Sequence, residues 1–249
     1  MPKEPPSKTT PCKKCPLRTN PCYRAFEGTE LKFIEGFKTG ELVIEAGEQV
    51  LIDGHDSAHL YTVLEGWAIR LKYLPDGGRQ ILNMAMPGDL LGLQSSLFGS
   101  MQHSVETLTR VKLCVFPRSR LFELVAAYPG LGFDITWLAA REEAMLAEHL
   151  VNVGQRSAFV RMSYFFAHLF DRAKQANLTE GNKVALPLTQ EHIADSLGLS
   201  AVHTNKTLRK IRATRCIDWS RGELIVNDSD MLHELGEYEP YDGPPRPFI

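Results

Sequence analysis

The apolar positions change period along the chain. From about residue 40 to 117 they fall in short runs of β-type residues, LYTVLEG, WAIRLKYL, QILNMAM and VKLCVF, divided by the turn sequences DGHD, LPDGG, MPGD and LFGS. Turns at such close intervals predict an antiparallel β-roll or jelly roll. From Arg118 the period becomes helical. Leu121, Leu124 and Val125 form a short helix that Tyr128-Pro129-Gly130 ends. Ile135, Leu138, Met145 and His149, with Leu146, Leu150 and Val153 beside them, then mark one stripe of a helix reaching about Ser157. The stripe is broad enough to pack on the roll and on a partner helix, so Ile135, Leu138, Met145 and His149 are the candidate dimer seam; an ordinary amphipathic core helix is the plainer alternative.

Residues 158–178 continue as a helix rich in aromatics, Tyr164, Phe165, Phe166 and Phe170, and Pro187-Leu188 leads into TQEHIADSLGLSAVHTNKTLRKIR. Thr189 is a good N-cap for a helix whose inward face is Ile193, Ala194 and Leu197. Gly198 supplies the positive φ that the turn requires, and Ser200 can cap a second helix running to about Arg212. Two helices joined by a glycine turn form a helix-turn-helix, whose second member enters the major groove of DNA. With Val202, Leu208 and Ile211 placed inward, Ser200, His203, Thr204, Asn205, Lys206, Arg209 and Lys210 become the candidate DNA-binding residues. ELIVND reads as a short strand. Residues 235–249 hold Pro240, Pro244, Pro245 and Pro247 and little apolar content, which predicts disorder.

The expected class is therefore α+β: a Cys-containing arm over 1–28, a β-roll sensor over 29–128, a dimerisation helix over 129–157, a winged helix-turn-helix over 158–232 and a disordered tail over 233–249. At 249 residues, two modest domains are the natural division. The composition, 43% hydrophobic and 23% charged, is that of an ordinary soluble protein, and no apolar run approaches the roughly 18 residues of a membrane span. The polar start MPKEPPSKTTP lacks the apolar core of a secretory signal, so a cytoplasmic location is expected. A net charge of −2 speaks against nucleic acid until its distribution is considered: Lys206, Arg209, Lys210, Arg212, Arg215 and Arg221 face Asp218 alone in one C-terminal stretch.

Five cysteines in a chain without an export signal argue for reduced thiols open to metal or redox chemistry rather than a disulfide framework. Cys12, Cys15 and Cys22 lie in CKKCPLRTNPC, and Cys114 lies on the strand VKLCVFP. The arm cysteines could take zinc with His55 or His59, and Cys114 could be a buried small hydrophobe. Cys216 fits a structural thiol, and His55, His59, His103 and His149 fit no metal spacing. No glycine-rich phosphate loop, HExxH or GxSxG is present, so an enzyme is not expected. A ligand-binding module acting through protein contacts is the rival.

The roll with Pro87-Gly88-Asp89 followed by Leu90-Leu91-Gly92, the long central helix and LTQEHIADSLGLS together resemble the CRP/FNR superfamily of bacterial transcription regulators over residues 30–228. The resemblance implies a homodimer on a palindromic operator in double-stranded DNA, with RNA polymerase as a candidate further partner. It also aligns Val202 with a base-contacting Glu and Lys206 with an Arg, so a non-standard operator is expected. In the cyclic-nucleotide branch a Glu and an Arg-Ser pair hold the ligand; Leu93, His103 and Ser104 stand there, and a phosphate without the Arg would be buried unpaired. In the iron-sulfur branch three arm cysteines and one on the roll hold the cluster. That implies Cys12, Cys15, Cys22 and Cys114 as ligands of a [4Fe-4S] cluster sensing oxygen or redox state, with another metal, a thiol switch or no metal as alternatives.

Overall fold

A computed structural model describes residues 9–249. The elements run α1 (Pro16–Thr19), α2 (Gly28–Phe37), β1 (Gly40–Ile44), β2 (Gln49–Leu51), β3 (His59–Glu65), β4 (Ala68–Tyr73), β5 (Arg79–Ala85), β6 (Leu90–Leu91), α3 (Leu93–Phe98), β7 (Ser104–Thr107), β8 (Val111–Pro117), α4 (Leu121–Ala127), α5 (Pro129–Gln155), α6 (Ala158–Gln175), β9 (Thr179–Glu180), β10 (Lys183–Ala185), α7 (Gln190–Leu197), α8 (Ala201–Thr214), β11 (Ile217–Ser220), β12 (Glu223–Val226) and α9 (Ser229–Gly236). Contacts divide them into two units: the described residues through Lys72 with Asn83–Glu143 and Pro245–Ile249, and Tyr73–Leu82 with Ala144–Pro244.

The first unit holds the antiparallel roll. One sheet has the order β1-β8-β3-β6, the other β2-β7-β4-β5. Val63, Ala68, Met101, Val105, Val111 and Leu113 fill the space between strands, as alternation along half-buried strands requires. A second apolar cluster gathers Phe37 of α2, Phe116 of β8, Leu124 of α4 and Leu131 of α5 with Leu17, Tyr23 and Phe26 of the arm. The arm is thus part of the core. Helix α2 was not anticipated, although Leu31, Ile34 and Phe37 recur at helical spacing and all three are buried.

The turn Pro87-Gly88-Asp89 shows why the arm docks where it does. Gly88 has φ +91°, and a Cβ there would lie 2.4 Å from the Tyr23 ring. The Tyr23 hydroxyl donates to the Pro87 carbonyl at 2.6 Å. One glycine therefore permits both the turn and the arm's approach.

In the second unit the buried face of α6, including Phe165, Phe166 and Phe170, meets α7, α8 and α9. The sheet β11-β12-β10-β9 supplies the wing. The disordered tail expected over 233–249 is corrected here: α9 extends to Gly236, and Phe248 and Ile249 are buried in the first unit. Low apolar content misled because a few residues, Pro247, Phe248 and Ile249, carry the docking.

Gly88→Ala is expected to lower stability by about 2 kcal/mol, through positive-φ strain and overpacking on Tyr23. Urea unfolding measures it; a change under about 0.5 kcal/mol would contradict the account.

Candidate functional site

The helix-turn-helix is built by its caps. The Thr189 hydroxyl accepts from the His192 backbone N–H at 3.1 Å, and the His192 ring accepts from the Thr189 N–H at 3.2 Å. Gly198 ends α7 at φ +62°, and Ser200 caps α8 by accepting from the His203 N–H at 3.3 Å. The Arg161 guanidinium donates to the Leu197 carbonyl at 2.6 Å, which anchors the turn to α6.

Burial then sorts the faces of α8. Thr204, Thr207, Leu208 and Ile211 are buried; Val202, His203, Asn205, Lys206, Arg209 and Lys210 are exposed. Two expectations are corrected. Thr204 is wholly buried and cannot contact DNA, because it lies four residues before Leu208 on the same inner stripe. Val202, expected inward, is 80% exposed, since the stripe of 204, 207, 208 and 211 leaves it on the opposite side. Ser200 is exposed, but its hydroxyl is engaged as the cap.

The second site is in the first unit. The β1–β8–β3 register sets Cys114 opposite Glu41 on one side and Thr62 on the other, so the three face the arm together. Glu41 is buried and accepts from the Thr10 N–H and Lys38 at 2.7 Å each, with Lys112 at 3.0 Å. Burial opposes its ionisation, but these donors outweigh it and hold the carboxyl below its usual range. The arm is therefore pinned by Glu41 and Tyr23 rather than by its cysteines.

Cys12, Cys15 and Cys114 line an apolar cavity of about 20 Å³, together with Phe248 and Ile249. Burial pushes the Cys114 thiol up to about 12, against the nearby Lys38 ammonium and together with Cys12 and Cys15. Burial likewise raises Cys12, with Lys38 opposing it. Cys22 is exposed and does not line the cavity; its N–H donates to the Asn20 side chain at 2.9 Å. Neither His55 nor His59 lines it. Among the described residues no group of three or more His, Cys, Asp or Glu is arranged to hold a metal ion. The four-thiolate set that a [4Fe-4S] cluster needs is thus not assembled: three thiols share a small cavity and the fourth stands outside. Cys216 is buried and accepts from the Thr214 hydroxyl at 2.9 Å.

Residues 38–128 match the cyclic nucleotide-binding domain family and residues 160–235 the Crp-like helix-turn-helix domain family. The chain is 32% identical over 225 residues to the nitrogen fixation regulation protein FixK of Bradyrhizobium diazoefficiens, across 90% of this chain and 93% of that one. It belongs to the CRP/FNR family of transcription regulators. Other CRP/FNR relatives agree. The transcriptional activator protein FnrL of Cereibacter sphaeroides is 23% identical over 231 residues, 91% of this chain and 92% of that one. The structure of FixK2 from Bradyrhizobium japonicum matches the fold with TM-score 0.70 at 23% identity, over 78% of this chain and 96% of that chain. The protein is a DNA-binding transcription regulator of CRP/FNR type, and its relatives are regulators rather than enzymes.

Within this CRP/FNR roll, Ser104, which stands where the cyclic-nucleotide branch holds its ligand, is already engaged. The Ser104 hydroxyl accepts from the Asp53 N–H at 3.0 Å. Arg70, a cation close to His103, is paired with Glu142 at 2.5 Å and donates to the Leu90 carbonyl at 3.0 Å.

The residues of the expected dimer seam on α5 lie mostly against the chain's own core. Ile135, Leu138 and Met145 are buried within the chain, and the His149 ring lies 5.6 Å from that of His168. The exposed apolar residues are Phe133, Leu146, Leu150 and Val151. A broad stripe gives the helix's two apolar edges but not which edge its own core takes. No helix is long and apolar enough to cross a membrane among the described residues.

Burial first, then the Arg70 and Lys72 charges against Glu142 and Asp53, push His103 down from 6.5 to about 4. Between those values the unfolded chain binds a proton that the folded chain refuses, so stability falls as pH drops through that window. His103→Gln is expected to flatten this limb in urea midpoints taken at several pH values. An unchanged pH slope would contradict it.

Proposed function

We propose that the protein acts in the cytoplasm as a homodimer on a palindromic operator, reading each half-site with α8, and that its sensor is the cavity of Cys12, Cys15 and Cys114. The observation that carries the DNA part is the clean division of α8 into a buried stripe and an exposed basic face. Asn205 can bond adenine bidentately, Lys206 can reach guanine acceptors, and Arg209 and Lys210 suit phosphates. Lys206→Ala and Asn205→Ala are each expected to weaken binding to an operator selected from randomised duplexes by roughly 1 to 3 kcal/mol. Unchanged affinity in both variants would place the wrong face in the groove.

Dimerisation is supported by the exposed face of α5, where Phe133, Ala140 and Ala147 recur every seven residues and Leu150 and Val151 follow. A seven-residue repeat of this kind suits helix pairing, and exposed apolar residues gathered on one helix mark an interaction surface. Leu150→Glu is expected to turn dimers into monomers in sedimentation at micromolar concentration. Wild-type protein that is monomeric in reduced and oxidised states alike would overturn the dimer.

The sensor is supported by three thiols from distant parts of the chain meeting in one apolar cavity. Cysteine thiolates favour soft metal centres, but the three thiols as seated are not arranged to hold an ion, so metal binding requires the arm to move Cys12 and Cys15 relative to Cys114. The [4Fe-4S] cluster that the resemblance implies needs Cys22 to turn inward and more volume than the cavity offers. Anaerobic purification with iron and zinc analysis tests this. Bound metal that is lost in Cys114→Ser supports a thiolate centre, and metal-free wild-type protein overturns it. Retention in Cys22→Ser marks a three-thiolate centre; loss there, with visible sulfur-to-iron absorption, marks the cluster.

A further inference from the structure

We propose that Val202 is a specificity-determining residue that reads the methyl group of a thymine; this rests on the DNA reading above. Val202 is the second residue of α8, where a recognition helix meets base edges. It precedes Asn205 by three residues and Lys206 by four, so all three share one outward face. Its side chain is 80% exposed, and it is the only large hydrophobic residue of α7 and α8 that is exposed. Ser200 and Gly198 fix the start of the helix beneath it. An isopropyl group held in water among His203, Asn205 and Lys206 has no packing role, and the apolar feature of the major groove that it can meet is the thymine C5-methyl.

Replacing thymine by deoxyuridine removes that methyl and nothing else. Operators selected by the wild-type protein are expected to contain a thymine at one symmetric position whose change to deoxyuridine weakens binding roughly fourfold per half-site, the value of one methyl-sized group removed from water. Val202→Ala, an exposed change that leaves the buried stripe untouched, is expected to bind both duplexes alike. Absence of a methyl effect in the wild type, or its persistence in Val202→Ala, overturns the assignment while DNA binding stands. Failure of the wild type to select any duplex overturns the DNA reading itself.

From a separate set of contacts we infer that residues 245–249 form a strap along one wall of the thiol cavity, which shields Cys114 and must lift to admit anything much larger than a water molecule. The Arg246 N–H donates to the Cys22 carbonyl at 2.8 Å, and the Arg24 N–H donates to the Arg246 carbonyl at 2.9 Å, so the strap lies along the arm as a short parallel bridge. The Arg246 guanidinium pairs with buried Asp89 at 2.5 Å. Phe248 packs edge-on against Tyr23 and tilted on Phe26, with centroids at 5.8 and 4.7 Å. The Thr62 hydroxyl, next to Cys114 across the strands, donates to the Ile249 carbonyl. Phe248 and Ile249 thus line the same cavity as the thiols, whose volume of about 20 Å³ holds one water-sized occupant. By linkage, an occupant that displaces the strap binds more tightly once the strap is weakened, by the same factor.

Site-resolved alkylation by iodoacetamide, a reagent larger than the cavity, tests this in the full-length protein. Arg246→Ala and Phe248→Ala are each expected to speed labelling of buried Cys114 at least tenfold, with exposed Cys22 unchanged and half-buried Cys12 and Cys15 changing less than Cys114. An unchanged rate at Cys114 overturns the strap. Cys216, buried in the second unit, is the internal control, and a rise there in step with the others would mean general unfolding and also overturn it.

Discussion

The burial of Thr204, Thr207, Leu208 and Ile211 decides what the rest of this molecule can do. An α-helix turns about 100° per residue, so fixing these four inward fixes His203, Asn205, Lys206, Arg209 and Lys210 outward. The chain's net charge is −2, and that stripe gathers Lys206, Arg209 and Lys210 on the free face of α8. The caps at Thr189 and Ser200 and the turn at Gly198 hold α7 and α8 in register, and Arg161 ties the turn to α6. Recognition thus depends on apolar packing beneath the groove-facing side chains as much as on those side chains.

The sensor site rests on a different constraint, strand register. Because β1, β8 and β3 pair as they do, Glu41, Cys114 and Thr62 sit side by side beneath the arm. Glu41 recruits Lys38, Lys112 and Thr10, which brings Cys12 and Cys15 to Cys114. Buried charge of this kind gives little net stability, yet it is costly to break, so it specifies one seating of the arm. Thr62 reaches the other way, to the strap. A one-residue slip of β8 would turn Cys114 to the opposite face and dissolve the site.

Much of this was legible in the chain. The runs LYTVLEG, WAIRLKYL, QILNMAM and VKLCVF became β3, β4, β5 and β8, and Thr189, Gly198 and Ser200 became caps and turn, because such signals act within a few residues of where they are written. What failed required knowledge of distant partners. Val202 and Thr204 exchange places once the core beneath α8 chooses between two adjacent edges. Ile135, Leu138 and Met145 face the chain's own interior for the same reason. Pro247, Phe248 and Ile249 read as a polar tail's end until Tyr23 and Phe26 are set beside them. Cys22 follows Cys15 closely in sequence, but its neighbour Tyr23 is anchored at Gly88, and the backbone between carries the thiol away from the cavity.

The most direct test of the central claim, that the outward face of α8 neutralises and reads duplex DNA, is the salt dependence of wild-type binding to a duplex selected from a randomised pool. The account predicts that the logarithm of the binding constant falls linearly with the logarithm of salt concentration, as counterions leave the phosphates that Lys206, Arg209 and Lys210 contact, while preference for the selected sequence persists. Binding that is indifferent to salt, or equal for every duplex tried, would contradict it.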